Sequence, residues 1–189
     1  MHINDKGLAI VKDREGCYLE AYPDPASPLA QICLDAGHSF YHGGYLKVEG
    51  WQRMSGAPWT IGYGHTGKDV FPGLEITQEK ADDLLRKDMQ YAEQGVALLV
   101  PPGCTENQFS ACVSFAFNVG VAAFEGSTLL RKWREGDIEG AAKSFGMWRF
   151  AQGNVLNGLV RRRKLESSLF LTPDGAGWSV ETANTVNEG

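Results

Sequence analysis

Residues 13–24 read DREGCYLEAYPD, and within them the chain changes from helical to extended character. The preceding residues 3–14 carry apolar side chains at helical spacing, which predicts a short helix. Gly16 is expected to end this helix, because glycine readily adopts the left-handed conformation found after helix C-termini. Glu15 would then lie in the last helical turn.

The second half of this stretch is predicted to be extended and to end in a turn. Residues 17–22 have strand character, and Pro23 and Pro25 favour a turn around Asp24 because proline fixes φ and restricts the residue before it. Glu15 and Asp24 would therefore lie at the two ends of a strand-like segment. Glycoside hydrolysis needs one protonated and one ionised carboxyl group, which Glu15 and Asp24 could supply. Their spacing of nine residues is by itself unspecific, because two acids at this distance occur by chance in most proteins.

Length and composition indicate an ordinary globular protein. The chain has 189 residues, 43% hydrophobic and 22% charged, which predicts one domain with room for two lobes around a cleft. The apolar run at residues 8–11 is too short for a signal peptide or a membrane span, so we expect neither export by a signal of its own nor stable membrane insertion. Four cysteines without CxxC spacing are expected to stay reduced.

Charge is unevenly distributed along the chain. Residues 131–164 contain nine Lys/Arg and three Asp/Glu, a net charge of +6, whereas the remainder carries −11. The basic part could steer an anionic polymer toward a cleft, or it could form solvated helix faces. A pI of about 5.4 without a nucleic-acid-binding motif argues against nucleic acid as a partner.

The predicted elements are a helix, a small β region and then several helices. Residues 26–58 are rich in Gly, Pro, Ser and aromatic residues and predict an irregular or β-hairpin region. Residues 59–66, WTIGYGHT, predict a strand packed closely on another backbone. A long amphipathic helix is expected from Thr77 until the prolines at 101 and 102. The fold class is therefore α+β.

Cap signals define the later helices. Thr105 and Gln108 form a capping box before a mostly apolar helix that Gly120 should close. Ser127 and Asp137 are predicted N-caps of two further helices, and a last helix should follow residues 157–158. The polar residues 173–189 are expected to form a frayed tail.

Several motifs in one order resemble the phage-type lysozyme (endolysin, muramidase) family. They comprise Glu15-Gly16, Ala21-Tyr22-Pro23-Asp24, WTIGYGHT at 59–66, Asn107-Gln108-Phe109, FAFNVG at 115–120, FEGSTLL at 124–130, Trp148, and GLVRRR at 158–163 with Glu166. The resemblance covers about residues 3–171 apart from an insertion at 25–58. It implies a lysozyme-like catalytic domain over residues 1–172, with a small β lobe, a larger helical lobe and the active-site cleft between them.

The resemblance also implies a function. The expected activity is hydrolysis of the β-1,4 bond between N-acetylmuramic acid and N-acetylglucosamine in peptidoglycan, with inversion and without a cofactor or metal. The expected protein is a monomeric endolysin that stays in the host cytoplasm until a holin lets it reach the cell wall.

Individual roles are carried over from the family by position. The implied catalytic residues are Glu15 as general acid, Asp24 as the second carboxylate and Thr60 as a hydroxyl that holds the attacking water. Phe117 and Ser127 match sugar-cleft positions, although a core aromatic and a helix N-cap are equally good interpretations of them.

Two further residues are expected to support the site. His65 is predicted to make structural hydrogen bonds, in preference to a role as base or metal ligand. Arg162 is the best match to an arginine that pairs with Glu15, whereas Arg161 and Arg163 are expected on a solvated basic face.

The insertion is the main departure from the family, because it separates Asp24 and Thr60 by 36 positions. It could enlarge the β lobe so that it extends or covers the cleft. Asp35 within it is an alternative second carboxylate, but it lacks the Ala-Tyr-Pro-Asp context, and Asp24 is preferred.

Three other functions are alternatives to glycan hydrolysis. Metal-assisted cleavage of peptide cross-links could use His38 and His42, four residues apart, with Cys33, Asp35 and His65, but neighbouring glycines disfavour a helix and no HExxH is present. A lytic transglycosylase would not need Asp24. A non-catalytic peptidoglycan-binding protein would not need Glu15 or Asp24.

Overall fold

The computed structural model describes residues 1–151 and 153–185, apart from the side chains of Arg14, Glu15 and Thr185. The chain divides into two compact units. The β unit comprises residues 15–88, and the helical unit comprises residues 1–14 with the chain from residue 89 onward. Helices and one small antiparallel sheet in the β unit give the predicted α+β class.

The first helix is confirmed, although it begins two residues later than the predicted range 3–14. Helix α1 spans Asp5–Glu15 and Gly16 follows with φ +69°. Asn4 caps its start, because the Asn4 Oδ1 accepts a hydrogen bond from the N–H of Gly7 at 3.0 Å. Gly7 is also needed for packing: a Cβ at that position would lie 2.8 Å from the Cβ of Ser110.

The β unit contains a three-stranded antiparallel sheet in the order β1-β2-β3. Its strands are β1 (Tyr18–Pro23), β2 (Trp59–Gly62) and β3 (His65–Thr66). The prediction of a single strand over residues 59–66 was therefore wrong, since these residues form a hairpin. Gly62 and Gly64 have φ of +64° and +91°, and these positive values reverse the chain at Tyr63.

The insertion combines short helical segments with irregular chain, so the β-hairpin alternative was wrong and the irregular one was partly right. It contains α2 (Pro28–Asp35) and two 3₁₀ turns, Gly44–Lys47 and Trp51–Arg53, and residues 25–58, all of which are described, include no strand. Ser27 caps α2 by accepting from the N–H of Ala30 at 3.2 Å, and Pro28 occupies the first turn. This cap signal was hidden by the Gly- and Pro-rich composition around it.

A separate apolar cluster holds the insertion together. It consists of Leu29, Ala30, Cys33, Phe40, Tyr45 and Val48. The Tyr41 ring stacks on Tyr18 of β1 with centroids 4.5 Å apart, and it lies 4.8 Å from the Tyr22 ring. The insertion therefore packs against the outer edge strand of the sheet through aromatic contacts.

Three of the helices that follow start at predicted caps, and two short ones were not predicted. They are α3 (Gln78–Leu99), α4 (Glu106–Val119), α5 (Val121–Glu125), α6 (Thr128–Arg134), α7 (Ile138–Ser144), α8 (Asn157–Leu171) and α9 (Val180–Thr185). The Thr105–Gln108 capping box is present, and Ser127 and Asp137 cap α6 and α7. A short hairpin, β4 (Phe150–Ala151) with β5 (Asn154–Val155), was not predicted.

Aromatic side chains form the core of the helical unit. The Phe115 ring of α4 makes edge-to-face contacts with Phe145 and Trp148, at centroid distances of 5.4 and 5.5 Å. Trp133 and Phe170 make a similar contact at 4.9 Å. Most of the α4 surface is buried, as its nearly continuous apolar sequence predicted. Of the described residues, none belongs to a helix that is long and apolar enough to cross a bilayer.

The described part of the C-terminal segment packs onto the helical unit, so the expectation of a frayed tail was wrong there. The Asp174 carboxylate accepts hydrogen bonds from the backbone N–H groups of Glu106 and Asn107, at 2.9 and 3.0 Å. The Trp178 Nε1 donates to Ser168 at 3.1 Å. Asp174 thus satisfies free donors at the start of α4, a long-range contact that local composition did not indicate.

We expect Asp174→Ala to lower the free energy of unfolding by about 1–2 kcal/mol, because two N–H groups at the start of α4 lose their acceptor. Urea denaturation would measure the change. Asp83→Ala, on the exposed side of α3, removes the same charge and should change stability little. Equal destabilisation by the two substitutions would contradict a capping role.

Candidate active site

The β1–β2 ladder brings Asp24 and Thr60 close together despite the insertion. Tyr22 pairs with Thr60 and Pro23 with Trp59, so Asp24 leaves β1 directly beside the start of β2. The N–H of Asp24 donates to the carbonyl oxygens of Gly56 and Pro58, at 2.9 and 3.0 Å. The backbone therefore continues its pairing past the end of the strand, and the 36 intervening positions fold outside the ladder.

A local turn orients the Asp24 carboxylate. Its Oδ1 accepts a hydrogen bond from the N–H of Ala26 at 2.7 Å, and its carbonyl oxygen accepts from the N–H of Ser27 at 2.9 Å. This turn closes on the Asp24 side chain, as aspartate commonly does next to proline. Asp24 is half-buried, and Thr60 is buried with 9% of its surface exposed.

Glu15 is the last residue of α1, as predicted. Its side chain lies outside the described residues, so its predicted pairing with Arg162 and its role as acid stay predictions. Strand β1 begins three residues later at Tyr18. The helix end and the Asp24 turn therefore flank one strand, as the sequence predicted.

His65 makes structural hydrogen bonds within the β unit. Its Nδ1 lies 2.8 Å from the Asp88 Oδ2, and its Nε2 lies 3.3 Å from the Asp69 Oδ2. A hydrogen bond from the backbone N–H of Asp69 and the contact with His65 lower the pKa of the exposed Asp69 carboxyl. The imidazole thus links β3 to α3 through Asp88.

Asp88 was missed in the sequence, although a signal for it existed. Ala81, Leu84 and Ala92 form the buried stripe of α3, and Asp88 follows Leu84 by four residues on the same stripe. An acid on an apolar stripe indicates a partner in the interior or near it.

Arg162 lies in a buried group of charges on α8. Its Nε donates to the Glu166 Oε1 at 3.1 Å, and its Nη2 donates to the carbonyl oxygen of Ser114 on α4 at 3.1 Å. The Ser114 hydroxyl also donates to the Glu166 Oε1, at 2.8 Å. Burial raises the pKa of Glu166, while Arg163 and Arg162 act in the opposite direction. Removing one member of such a group typically costs about 3–5 kcal/mol.

The expectation that Arg163 lies on a solvated face was wrong. Only 2% of Arg163 is exposed, and its Nε lies 3.1 Å from the Glu166 Oε2. Arg161 is exposed, as predicted, and its Nη2 donates to the Asp13 Oδ1 at 3.0 Å. Successive side chains on a helix point about 100° apart. Three consecutive arginines can therefore include both buried and exposed residues.

The two predicted sugar-contacting residues have clear local environments. Phe117 is half-buried near the end of α4. Ser127 is buried, and its hydroxyl oxygen accepts a hydrogen bond from the N–H of Leu130 at 3.1 Å as the N-cap of α6. A substrate contact by either residue stays a prediction.

The histidines of the insertion lie outside helices. His38 follows the end of α2, and His42 has a positive φ of 52°. Their spacing of four therefore does not place them on one helical face. Among the described residues, no three His, Cys, Asp or Glu side chains come together in an arrangement that could hold a metal ion.

Comparisons with known proteins match most of the chain. The family model described as phage lysozyme matches residues 43–166. An endolysin of Bacillus phage B103 is 47% identical over 125 residues, which cover 66% of this chain and 48% of that protein. The endolysin of Salmonella phage P22 is 34% identical over 176 residues, 91% of this chain and 99% of that protein.

A solved structure resembles the fold over nearly the whole chain. The muramidase domain of SpmX from Asticaccaulis excentricus has a TM-score of 0.68 and 35% identity, and the match covers 92% of this chain and 100% of that one. The chain spans about half the length of the Bacillus phage endolysins that it matches, 48% and 55%.

Proposed function

Because the chain belongs to the phage lysozyme family, we propose that it is an endolysin that hydrolyses the β-1,4 bond between N-acetylmuramic acid and N-acetylglucosamine in peptidoglycan. The observation that supports this proposal is the β1–β2 ladder, in which the Asp24 turn adjoins the strand that carries Thr60 across a long insertion. Folding that preserves this adjacency is expected for a working active site. The proposed enzyme is a glycoside hydrolase that needs no cofactor.

In the proposed reaction, the carboxyl group of Glu15 donates its proton to the glycosidic oxygen as the bond to the anomeric carbon breaks. Asp24 accepts a proton from a water molecule, and the Thr60 hydroxyl holds that water for attack at the anomeric carbon. The water oxygen forms the new bond on the face opposite the leaving group, so the configuration inverts. A turn that fixes the direction of the Asp24 carboxylate favours such positioning of water.

Two other functions remain distinguishable from this one by their products. A lytic transglycosylase would leave 1,6-anhydro-muramic ends, because the sugar's own hydroxyl replaces water. A peptidoglycan-binding protein without activity would leave the glycan intact. The presence of Asp24 in its family context supports hydrolysis over both.

We expect purified peptidoglycan treated with this protein to gain reducing N-acetylmuramic acid ends, and Glu15→Gln to abolish them, because glutamine cannot donate the proton. Mass spectrometry of the released fragments would measure both. Anhydro ends, or unchanged cleavage by Glu15→Gln, would overturn the proposed mechanism.

We expect Asp24→Asn to reduce turnover about 10²–10⁴-fold, because asparagine cannot accept a proton from water. Asparagine retains the oxygen that receives the Ala26 N–H bond, so the turn should persist and the fold should be unchanged by circular dichroism. Asp35→Asn on α2 is the matched control and should retain full activity. Loss of activity in Asp35→Asn alone would transfer the role to the insertion.

We also propose that the protein acts as a monomer on the cell wall after a holin permits its release from the host cytoplasm, a mode of action that rests on the family alone. Expression in a host without a holin should then leave cells intact, and co-expression of a holin should lyse them. Culture turbidity would measure the difference. Equally rapid lysis without the holin would contradict dependence on it.

A further inference from the structure

A cavity of about 380 Å³ lies within the helical unit and is lined mainly by α7 and α8. Four of its lining residues are basic, namely Lys143, Arg149, Arg163 and Lys164, and none of its lining residues is acidic. Its volume is in the range of small-molecule sites. The four basic lining residues all lie in the basic segment 131–164, and the proposed hydrolysis assigns no role to any of these four.

One face of α8 supplies most of this lining. Five lining residues follow one another at helical spacings of three and four and so share one side of the helix, namely Val160, Arg163, Lys164, Ser167 and Ser168. The Ser168 hydroxyl oxygen accepts from the Trp178 Nε1 at 3.1 Å and can donate its own proton to a ligand. The lining therefore combines cations, a hydroxyl donor and the apolar side chain of Val160.

Arg163 distinguishes this cavity from an ordinary basic surface. The residue is 98% buried, and its guanidinium lies over the Phe115 ring at 4.7 Å from the centroid. Its Nη2 donates to the Asn118 Oδ1 at 2.7 Å, but its Nη1 is buried without a hydrogen-bond partner. A buried donor without a protein partner is uncommon in native proteins, and Arg163 is also one of the residues that line the cavity.

The neighbouring carboxylate does not satisfy this guanidinium. The Arg163 Nε lies 3.1 Å from the Glu166 Oε2, yet neither atom has a well-directed hydrogen bond. The other oxygen of Glu166 accepts from Arg162 and Ser114. Burial lowers the pKa of Arg163, as expected for a cation whose hydration is incompletely replaced.

We propose that this cavity is an oxyanion pocket that binds the phosphate group of a phosphate-bearing ligand. Four cations with no lining acid favour a group with more than one negative charge over a single carboxylate. The planar fork of an arginine matches the geometry of phosphate oxygens. The cavity is larger than one phosphate, which leaves room for an organic part beside Val160. This pocket does not depend on the proposed hydrolysis of the glycan.

Isothermal titration of the full-length protein with inorganic pyrophosphate at low salt would test the pocket. We expect saturable one-to-one binding, weakened about tenfold or more in the double variant Lys143→Gln/Lys164→Gln, because two of the four cations are removed. The matched control is Lys47→Gln/Lys80→Gln, which removes two exposed charges outside the cavity and should leave the Kd within about twofold.

Absence of saturable binding by the unmodified protein, or equal weakening in the two double variants, would overturn the proposal. Thermal melting without ligand should give similar Tm values for both variants, since all four lysines are exposed. If the pocket variant melts much lower, the single substitutions Lys164→Gln and Lys80→Gln repeat the comparison with a smaller perturbation.

A second arm separates the possible sources of phosphate. Cosedimentation with phosphatidylglycerol vesicles, lost only in the pocket variant and absent with phosphatidylcholine, would assign the ligand to a lipid headgroup. Pyrophosphate binding without vesicle binding would assign it to a soluble or polymer-bound phosphate, and both results support the pocket. The proposal would be overturned if vesicle binding fell equally in both double variants and pyrophosphate showed no saturable binding. The basic residues would then act only as a nonspecific charged surface.

Discussion

The backbone ladder between β1 and β2 is the constraint on which the candidate site depends. Main-chain hydrogen bonds set the register, and the N–H of Asp24 extends the pairing to Gly56 and Pro58. Because these bonds involve only backbone atoms, they tolerate changes in the intervening chain. Residues 25–58 can then fold as a separate, partly helical segment while the Asp24 turn stays beside β2, which carries Thr60. The long connection adds little to the cost of folding, since the entropy cost of closing a loop grows only slowly with its length.

The helical unit is held together by a different balance of forces. Helix α4 provides an aromatic core through Phe115 and receives polar contacts at its start from Thr105 and Asp174. Helix α8 adds Arg162, Arg163 and Glu166 to this interior. Buried charges of this kind are expensive to desolvate, and each needs a partner with good geometry. Arg162 and Ser114 satisfy one oxygen of Glu166, whereas the Nη1 of Arg163 is buried without a hydrogen-bond partner. In the run 161–163, Arg162 therefore stabilises the packing of α8, whereas Arg163 contributes to the proposed phosphate pocket.

Sequence reasoning succeeded where the signal was local. The end of α1 at Glu15, the turn at Asp24, the capping box at Thr105 and the N-cap at Ser127 each depend on a few adjacent residues. It failed where a feature needed a distant partner or where composition concealed a short signal. Helix α2 was hidden among glycines and prolines, and the 59–66 strand proved to be a hairpin because two glycines reverse it. The contacts of Asp174 with α4 could not be inferred from a polar C-terminal segment.

The sequence by itself determined the family, the α+β class and the identity of the candidate catalytic positions, because ordered short motifs and helix caps are written in neighbouring residues. Only the tertiary structure decided that the Asp24 turn lies beside the strand that carries Thr60, that His65 contacts Asp88, and that Arg163 is buried while Arg161 is exposed. The physical reason is that register, burial and partner choice arise from contacts between residues far apart in the chain. Such contacts form only when the whole unit packs, and the energy of a charged side chain depends on which partners that packing supplies.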